Sequence, residues 1–175
     1  MKKNIIVVLA SIAATVMLIT SCSKDDSDSK TTTLQVRLTD APTAYEEVNV
    51  DIREVRVKFS DDSTNNGWVT LNTYPGIYNL LAYQNGVDTL LATGNFPVQV
   101  LKEIRFVLGS NNTIKEAGIV YPLTVPSGSE SGLKLKINRS LNATLETIII
   151  DFDAALSVHK DGTGDYKLRP VLKIK

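Results

Sequence analysis

The sequence predicts an all-β fold, an antiparallel β-sandwich of about eight strands, of which an immunoglobulin-like arrangement is one of several open forms. Three observations predict it. Apolar residues alternate with polar ones over short runs, Asn, Asp, Gly and Pro punctuate those runs, and only Leu80 to Thr93 could hold a helical turn. The 175 residues suffice for one ordinary domain and a short appendix, and a composition of 43% hydrophobic and 22% charged residues is that of a globular chain.

The appendix comes first. Lys2 and Lys3 precede an apolar stretch from Ile5 to Ile19, fifteen residues long. That is short for a membrane span of ~20 residues and right for the core of a signal peptide. Ile19-Thr20-Ser21-Cys22 resembles the lipobox of bacterial lipoproteins. The resemblance implies a signal peptide over 1–21, diacylglycerol on the Cys22 sulfur and acylation of its new amine, and so a membrane partner reached through a lipid anchor. A thiol is the strongest nucleophile available for accepting that lipid. Ser23 to Thr33 is entirely Ser, Thr, Lys and Asp, a composition that cannot pack, so 22–32 is expected to be a polar tether. Within it, Lys24-Asp25-Asp26 resembles the export tag of some Gram-negative surface lipoproteins. The expected location is the outer membrane, at the cell surface or on the periplasmic face.

The domain is expected over 33–175. Leu34, Val36 and Leu38 alternate up to the turn Asp40-Ala41-Pro42. Val48, Val50 and Ile52 share one phase and Val55, Val57 and Phe59 the other, so Arg53-Glu54 should mark a β-bulge or a change of sheet. Asp61 to Gly67 reads as a hairpin loop returning through Trp68 to Leu71. Val98 to Leu108, Ile119 to Thr124, Leu133 to Ile137, Leu145 to Phe152 and Tyr166 to Ile174 complete the strands.

Charge and cysteine usage exclude several functions. There are 19 basic and 19 acidic residues, and loss of Lys2 and Lys3 leaves 17 against 19. That balance provides no electrostatic drive toward nucleic acid. One Cys and one His, His159, cannot build a zinc site of the usual kind, and no metal or cofactor is expected.

Thr39-Asp40-Ala41-Pro42, Tyr78-Asn79-Leu80-Leu81, Glu103-Ile104-Arg105, Val125-Pro126-Ser127-Gly128, Ser131-Gly132-Leu133-Lys134, Asp151-Phe152-Asp153-Ala154 and Leu168-Arg169-Pro170-Val171 occur in that order. Together they resemble the signature of the family catalogued as domain of unknown function 4382, across essentially the whole mature domain. The resemblance implies a secreted or lipid-anchored protein with a sandwich similar to transthyretin-like or carbohydrate-binding folds. Val98-Gln99-Val100-Leu101 departs from the pattern, which favours Ala-Gly and an aromatic there, and implies a looser turn.

Asp151 and Asp153 are the candidate carboxylate pair. Two apart on a strand, they would share a face about 7 Å apart and could contribute to a Ca²⁺ site or to acid–base chemistry. The alternative is a strand-end role accepting backbone, Lys or Arg hydrogen bonds. Asp40 reads as an Asx-type cap of its own turn, and His159 as a residue of a polar turn without a Gly-x-Ser-x-Gly elbow to serve. Trp68, Tyr74, Tyr78 and Tyr83 fall within sixteen residues and are the candidate ligand-binding aromatics, unless Trp68 lies in the core. The sequence therefore points to a non-catalytic envelope protein that binds a glycan or another envelope protein. A subunit of a surface fibre pairing through a sheet edge is the alternative, and a hydrolase the less favoured third.

Overall fold

The computed structural model describes residues 30–60, 66–126 and 133–175. The expected signal peptide, Cys22 with most of the tether, loop residues 61–65 and the motif residues 127–132 lie outside them.

Fourteen strands occur among the described residues. The first seven are β1 (Thr31–Thr39), β2 (Glu47–Lys58), β3 (Trp68–Thr70), β4 (Asn72–Thr73), β5 (Gly76–Asn79), β6 (Thr89–Pro97) and β7 (Val100–Leu108). They are followed by β8 (Thr113–Glu116), β9 (Ile119–Thr124), β10 (Leu133–Ser140), β11 (Leu145–Phe152), β12 (Val158–Lys160), β13 (Tyr166–Leu168) and β14 (Leu172–Ile174). A 3₁₀ turn at Leu80–Tyr83 and a one-turn helix, α1 (Ala154–Ser157), are the only helical pieces described.

The strands form two sheets, mostly antiparallel. One has the order β14-β11-β1-β6-β4, and the other β10-β7-β2-β8-β9-β13-β12, with β3 and β5 also on β2. Two pairs are parallel, β1 with β11 and β9 with β13. Between the sheets Leu34, Val36, Leu38, Ile148, Ile150 and Phe152 meet Val48, Val50, Ile52, Val55, Val57, Ile104 and Phe106, all fully or almost fully buried. Each buried aliphatic side chain contributes about 1.5–3 kcal/mol relative to exposure, so this alternation is what drives the sheets together.

The phase slip at Arg53-Glu54 is a bulge. The register of β2 against β7 jumps between Ile52 and Glu54, and the strand continues in the same sheet. One extra residue moves Val55 and Val57 back onto the core face.

Three expectations are corrected. The segment Leu80 to Thr93 does hold a helical turn, the 3₁₀ turn at Leu80–Tyr83, but it is not the one place for such a turn, since α1 is a second, and from Thr89 onward it is β6, an interior strand of the smaller sheet. The register shift between Val36 and Arg37, where β1 meets β6, explains why Leu90, Leu91 and Ala92 do not alternate. The run Tyr166 to Ile174 is two strands, because Arg169-Pro170-Val171 carries the chain from the larger sheet to the smaller. Finally, the turn expected to be loose is a two-residue link, Val98-Gln99, between β6 and β7 on different sheets.

Candidate functional site

The aromatic residues singled out in sequence divide into two places. Trp68 pairs with Lys58 at one end of β2, and Tyr78 pairs with Val50, eight residues away along the same strand. At ~3.4 Å per residue that is about 27 Å, so the four rings do not make one surface.

Tyr74, Tyr78 and Tyr83 do come together. Tyr74-Pro75 links β4 of the smaller sheet to β5 of the larger, so this seam is an edge of the sandwich. Tyr78 Oη donates to the Tyr74 carbonyl at 2.5 Å, and the Tyr78 and Tyr83 rings lie 6.3 Å apart, tilted at 51°. Burial, and then the neighbouring Tyr83, raise the Tyr78 hydroxyl above its ordinary pKa, which keeps it a donor. Asn79 caps the following 3₁₀ turn by accepting from Leu81 N. The Tyr83 carbonyl accepts from Asp40 N and Thr39 Oγ1. The rings of Tyr78 and Tyr83 are thus half-buried and braced, while Tyr74 is 49% exposed.

Trp68 is neither in the core nor on that seam. Val57 points inward, so alternation turns Lys58 and its partner Trp68 to the opposite face of the larger sheet, where Lys58 is nonetheless buried at 1% exposure. The Arg105 guanidinium stacks 4.2 Å from the Trp68 ring, and Lys58 Nζ lies 6.0 Å away. Such cation–π contacts contribute about 0.5–2 kcal/mol each. Burial, and then Arg56 nearby, lower the Arg105 pKa, while Glu103 opposes them.

The carboxylates occupy the end of the sandwich where β1 and β11 finish. Asp153 lies beyond β11, so strand alternation does not place it on one face with Asp151. It caps α1 instead, accepting from Leu156 N at 3.0 Å, and its other oxygen meets Lys173 Nζ at 3.1 Å. Asp151 stands opposite Thr39 in the parallel pairing and is buried, and its Oδ1 has no hydrogen-bond partner among the described residues. Asp40 is 1% exposed, and beyond a bond to the Ala41 backbone in its own turn it serves distant segments. Its carboxylate accepts from Ala154 N at 2.9 Å and from Gln84 Nε2 at 3.0 Å, tying β1 to α1 and to the turn after β5. Burial raises the Asp40 pKa, its hydrogen bonds oppose that, and the nearby Asp151 charge raises it further. Among the described residues no group of three or more His, Cys, Asp or Glu side chains is arranged to hold a metal ion. His159 is exposed on β12, opposite Lys167, rather than in a turn.

Three features escaped the sequence. A cleft of about 540 Å³ lies between Leu108–Asn112 and Pro122–Val125. A groove of about 600 Å³ opens between Val69–Asn72 and Thr93–Phe96. The third is a cluster joining the Tyr166 hydroxyl to Glu116, with Lys160 Nζ 3.5 Å from Glu116 and 4.8 Å from the Tyr166 ring centre. The Tyr166 hydrogen bond, above all, holds Glu116 below the usual carboxylate range. All three bring together segments far apart in the chain, the cleft and the cluster through strands of the larger sheet and the groove across both sheets, so no residue spacing announces them.

Among the described residues no helix is long and apolar enough to cross a membrane. No curated protein and no solved structure matches the chain. Residues 31–170 match the profile of the family described as domain of unknown function 4382, which covers every described strand but β14 and includes the seam between the sheets, and the chain belongs to that family.

Proposed function

We propose that the protein is a lipid-anchored component of the bacterial cell envelope, held at the outer membrane by acyl chains on Cys22, and that its sandwich binds a glycan or another envelope protein. The observation that carries the binding reading is the braced tyrosine seam. Tyr78 is held by the Tyr74 carbonyl and packs on Tyr83, and Tyr74 is half exposed beside it. Sugar rings offer apolar C–H faces and hydroxyl edges, and tyrosine matches both with its ring and its phenol. Rings already held in place lose little freedom on binding, which favours affinity.

Assembly through a sheet edge finds less support. Among the described residues the longest edge strand is β10, and Lys134, Lys136 and a positive-φ Asn138 interrupt it. Lysines and bulges on an edge strand oppose pairing with another chain.

The test is binding of the protein to an array of envelope glycans, with Tyr74→Ala and Tyr78→Ala combined. Loss of at least about tenfold in affinity is expected, taking the contact of each tyrosine ring with a sugar face as on the order of 1 kcal/mol. Unchanged binding would move the site away from the seam.

A further inference from the structure

One end of the sandwich carries a second surface. β1 and β11 begin there, β6 and β2 end there, and β7 starts where β10 stops. The Lys30 carbonyl accepts from Val98 N at 2.9 Å, Thr33 N donates to the Thr144 carbonyl at 2.8 Å, and Leu141 N donates to the Gln99 carbonyl at 2.9 Å. These bonds gather Val98, Val100 and Leu145 around the point at which the chain enters β1. The three are 41%, 38% and 53% exposed. Lys30 and Arg139 are exposed beside them, and the neighbouring Glu146 is taken up by Arg139 at 3.2 Å.

We propose that this end of the domain rests on the lipid surface, with Val98, Val100 and Leu145 entering the interfacial layer and Lys30 and Arg139 against lipid phosphates. The proposal deepens the lipid-anchor reading and rests on it for its strength. Three small side chains hold a membrane only weakly, but an acyl anchor keeps them at high local concentration. Seven residues separate Cys22 from Lys30, a length that reaches at most about 27 Å whatever its conformation. The end at Lys30 is therefore the part of the domain nearest the lipid. The tyrosine seam lies the other way: Tyr83 is bonded to Thr39, eight residues and about 27 Å along β1 from Thr31. Seating the Lys30 end on the membrane turns the seam outward. Ile119 and Val120, on the β8–β9 hairpin, are as exposed, but nothing in the fold says what would cover them.

The full chain, acylated in cells, is reconstituted in vesicles of phosphatidylethanolamine and phosphatidylglycerol that contain a phospholipid with a photoreactive diazirine near its headgroup. Mass spectrometry after irradiation should place lipid adducts in 97–100 and 141–146. Val98→Asn, Val100→Asn and Leu145→Asn together should lower those adducts about tenfold, from the lost transfer of three aliphatic side chains, while Cys22 stays acylated and the unfolding temperature is unchanged. If that variant does not fold, Leu145→Asn alone should lower them about threefold. Adducts confined to other faces, chain-to-chain links in their place, or none at all on a chain acylated at Cys22, would overturn the proposal and leave the anchor intact. A chain bearing no lipid at Cys22 would sink the anchor reading. The same irradiation would then judge this end of the domain alone, adducts supporting it and their absence overturning it.

Discussion

Asp40→Asn and Asp40→Ala should separate what the Asp40 hydrogen bonds contribute from what its charge costs. The carboxylate is 1% exposed, accepts from Ala154 N and Gln84 Nε2, and faces Asp151. In Asp40→Asn the carbonyl oxygen still accepts from Ala154 N, while Gln84, whose Nε2 also donates to the Ala41 carbonyl at 3.1 Å, can meet the new amide only by giving up that bond. The charge and its repulsion by Asp151 are gone. In Asp40→Ala both bonds are lost and a buried N–H is left without its acceptor, at a cost of about 1–3 kcal/mol for each unsatisfied group. A loss of about 3 kcal/mol is therefore expected for Ala. The pH dependence follows from the raised pKa. A carboxyl whose folded pKa lies above its unfolded value of 3.8 binds protons more tightly when folded, so its stabilising contribution is complete below 3.8 and is lost as pH rises through the folded value. Urea unfolding of both proteins from about pH 3 to about pH 7 reads this as a difference, which cancels the groups that Asp40 does not influence and leaves Asp40 with its neighbour Asp151. Asp40→Asn should gain stability relative to the unmodified protein as pH rises. If the unmodified protein gains instead, the hydrogen bonds outweigh burial, and the assignment of burial as the dominant influence on Asp40 is wrong.

Two further substitutions test close packing and turn chemistry. Gly109→Ala would place a Cβ 2.2 Å from Asp51 Oδ2 and 2.6 Å from Arg53 Nε. Asp51 is buried and cannot retreat, because Arg53 Nη2 bonds the same oxygen at 2.8 Å, Arg53 Nε makes an unaligned ion contact with Oδ1, and Asn111 N bonds Oδ2 at 3.2 Å. A loss of at least about 2 kcal/mol is expected by urea unfolding, from overpacking and a broken bond together; a loss below about 0.5 kcal/mol would show that the pair moves freely. Ala117→Asn acts the opposite way. Ala117 and Gly118 turn the β8–β9 hairpin with φ of 51° and 77°, a two-residue turn in which Asn-Gly is the favoured pair. A gain of about 0.5–1 kcal/mol is expected in the same assay, and a loss would mean that Asn at 117 disturbs the Gly118 N contact with Glu46.

Much of the larger architecture was legible because strand alternation records burial directly. Leu145 to Phe152 and Ile119 to Thr124 are strands with the expected bounds, and the phase change at Arg53-Glu54 is a bulge. Strands shorter than about four residues carry too few positions for a period to show, so in sequence β3 and β4 look like one return strand and a connection, and β12 like a turn. A register shift hid β6. The short aromatic cluster was visible as composition, and its division into a seam and a cation-covered face was not, since that depends on which residues of β2 each ring opposes.

By itself the sequence determined the fold class, the pairing phases of the long strands, the family signature and the expectation of a lipidated Cys22. Those are local properties, written in periodicity and in contiguous motifs. Tertiary structure alone decided that Asp40 serves a helix 114 residues away, that Asp153 caps instead of pairing with Asp151, and that Tyr74, Tyr78 and Tyr83 share an edge while Trp68 lies under Arg105. Each of these depends on which strands become neighbours across the sheets. Neighbours across a sheet are chosen by the burial of the whole core, which no short stretch of chain contains.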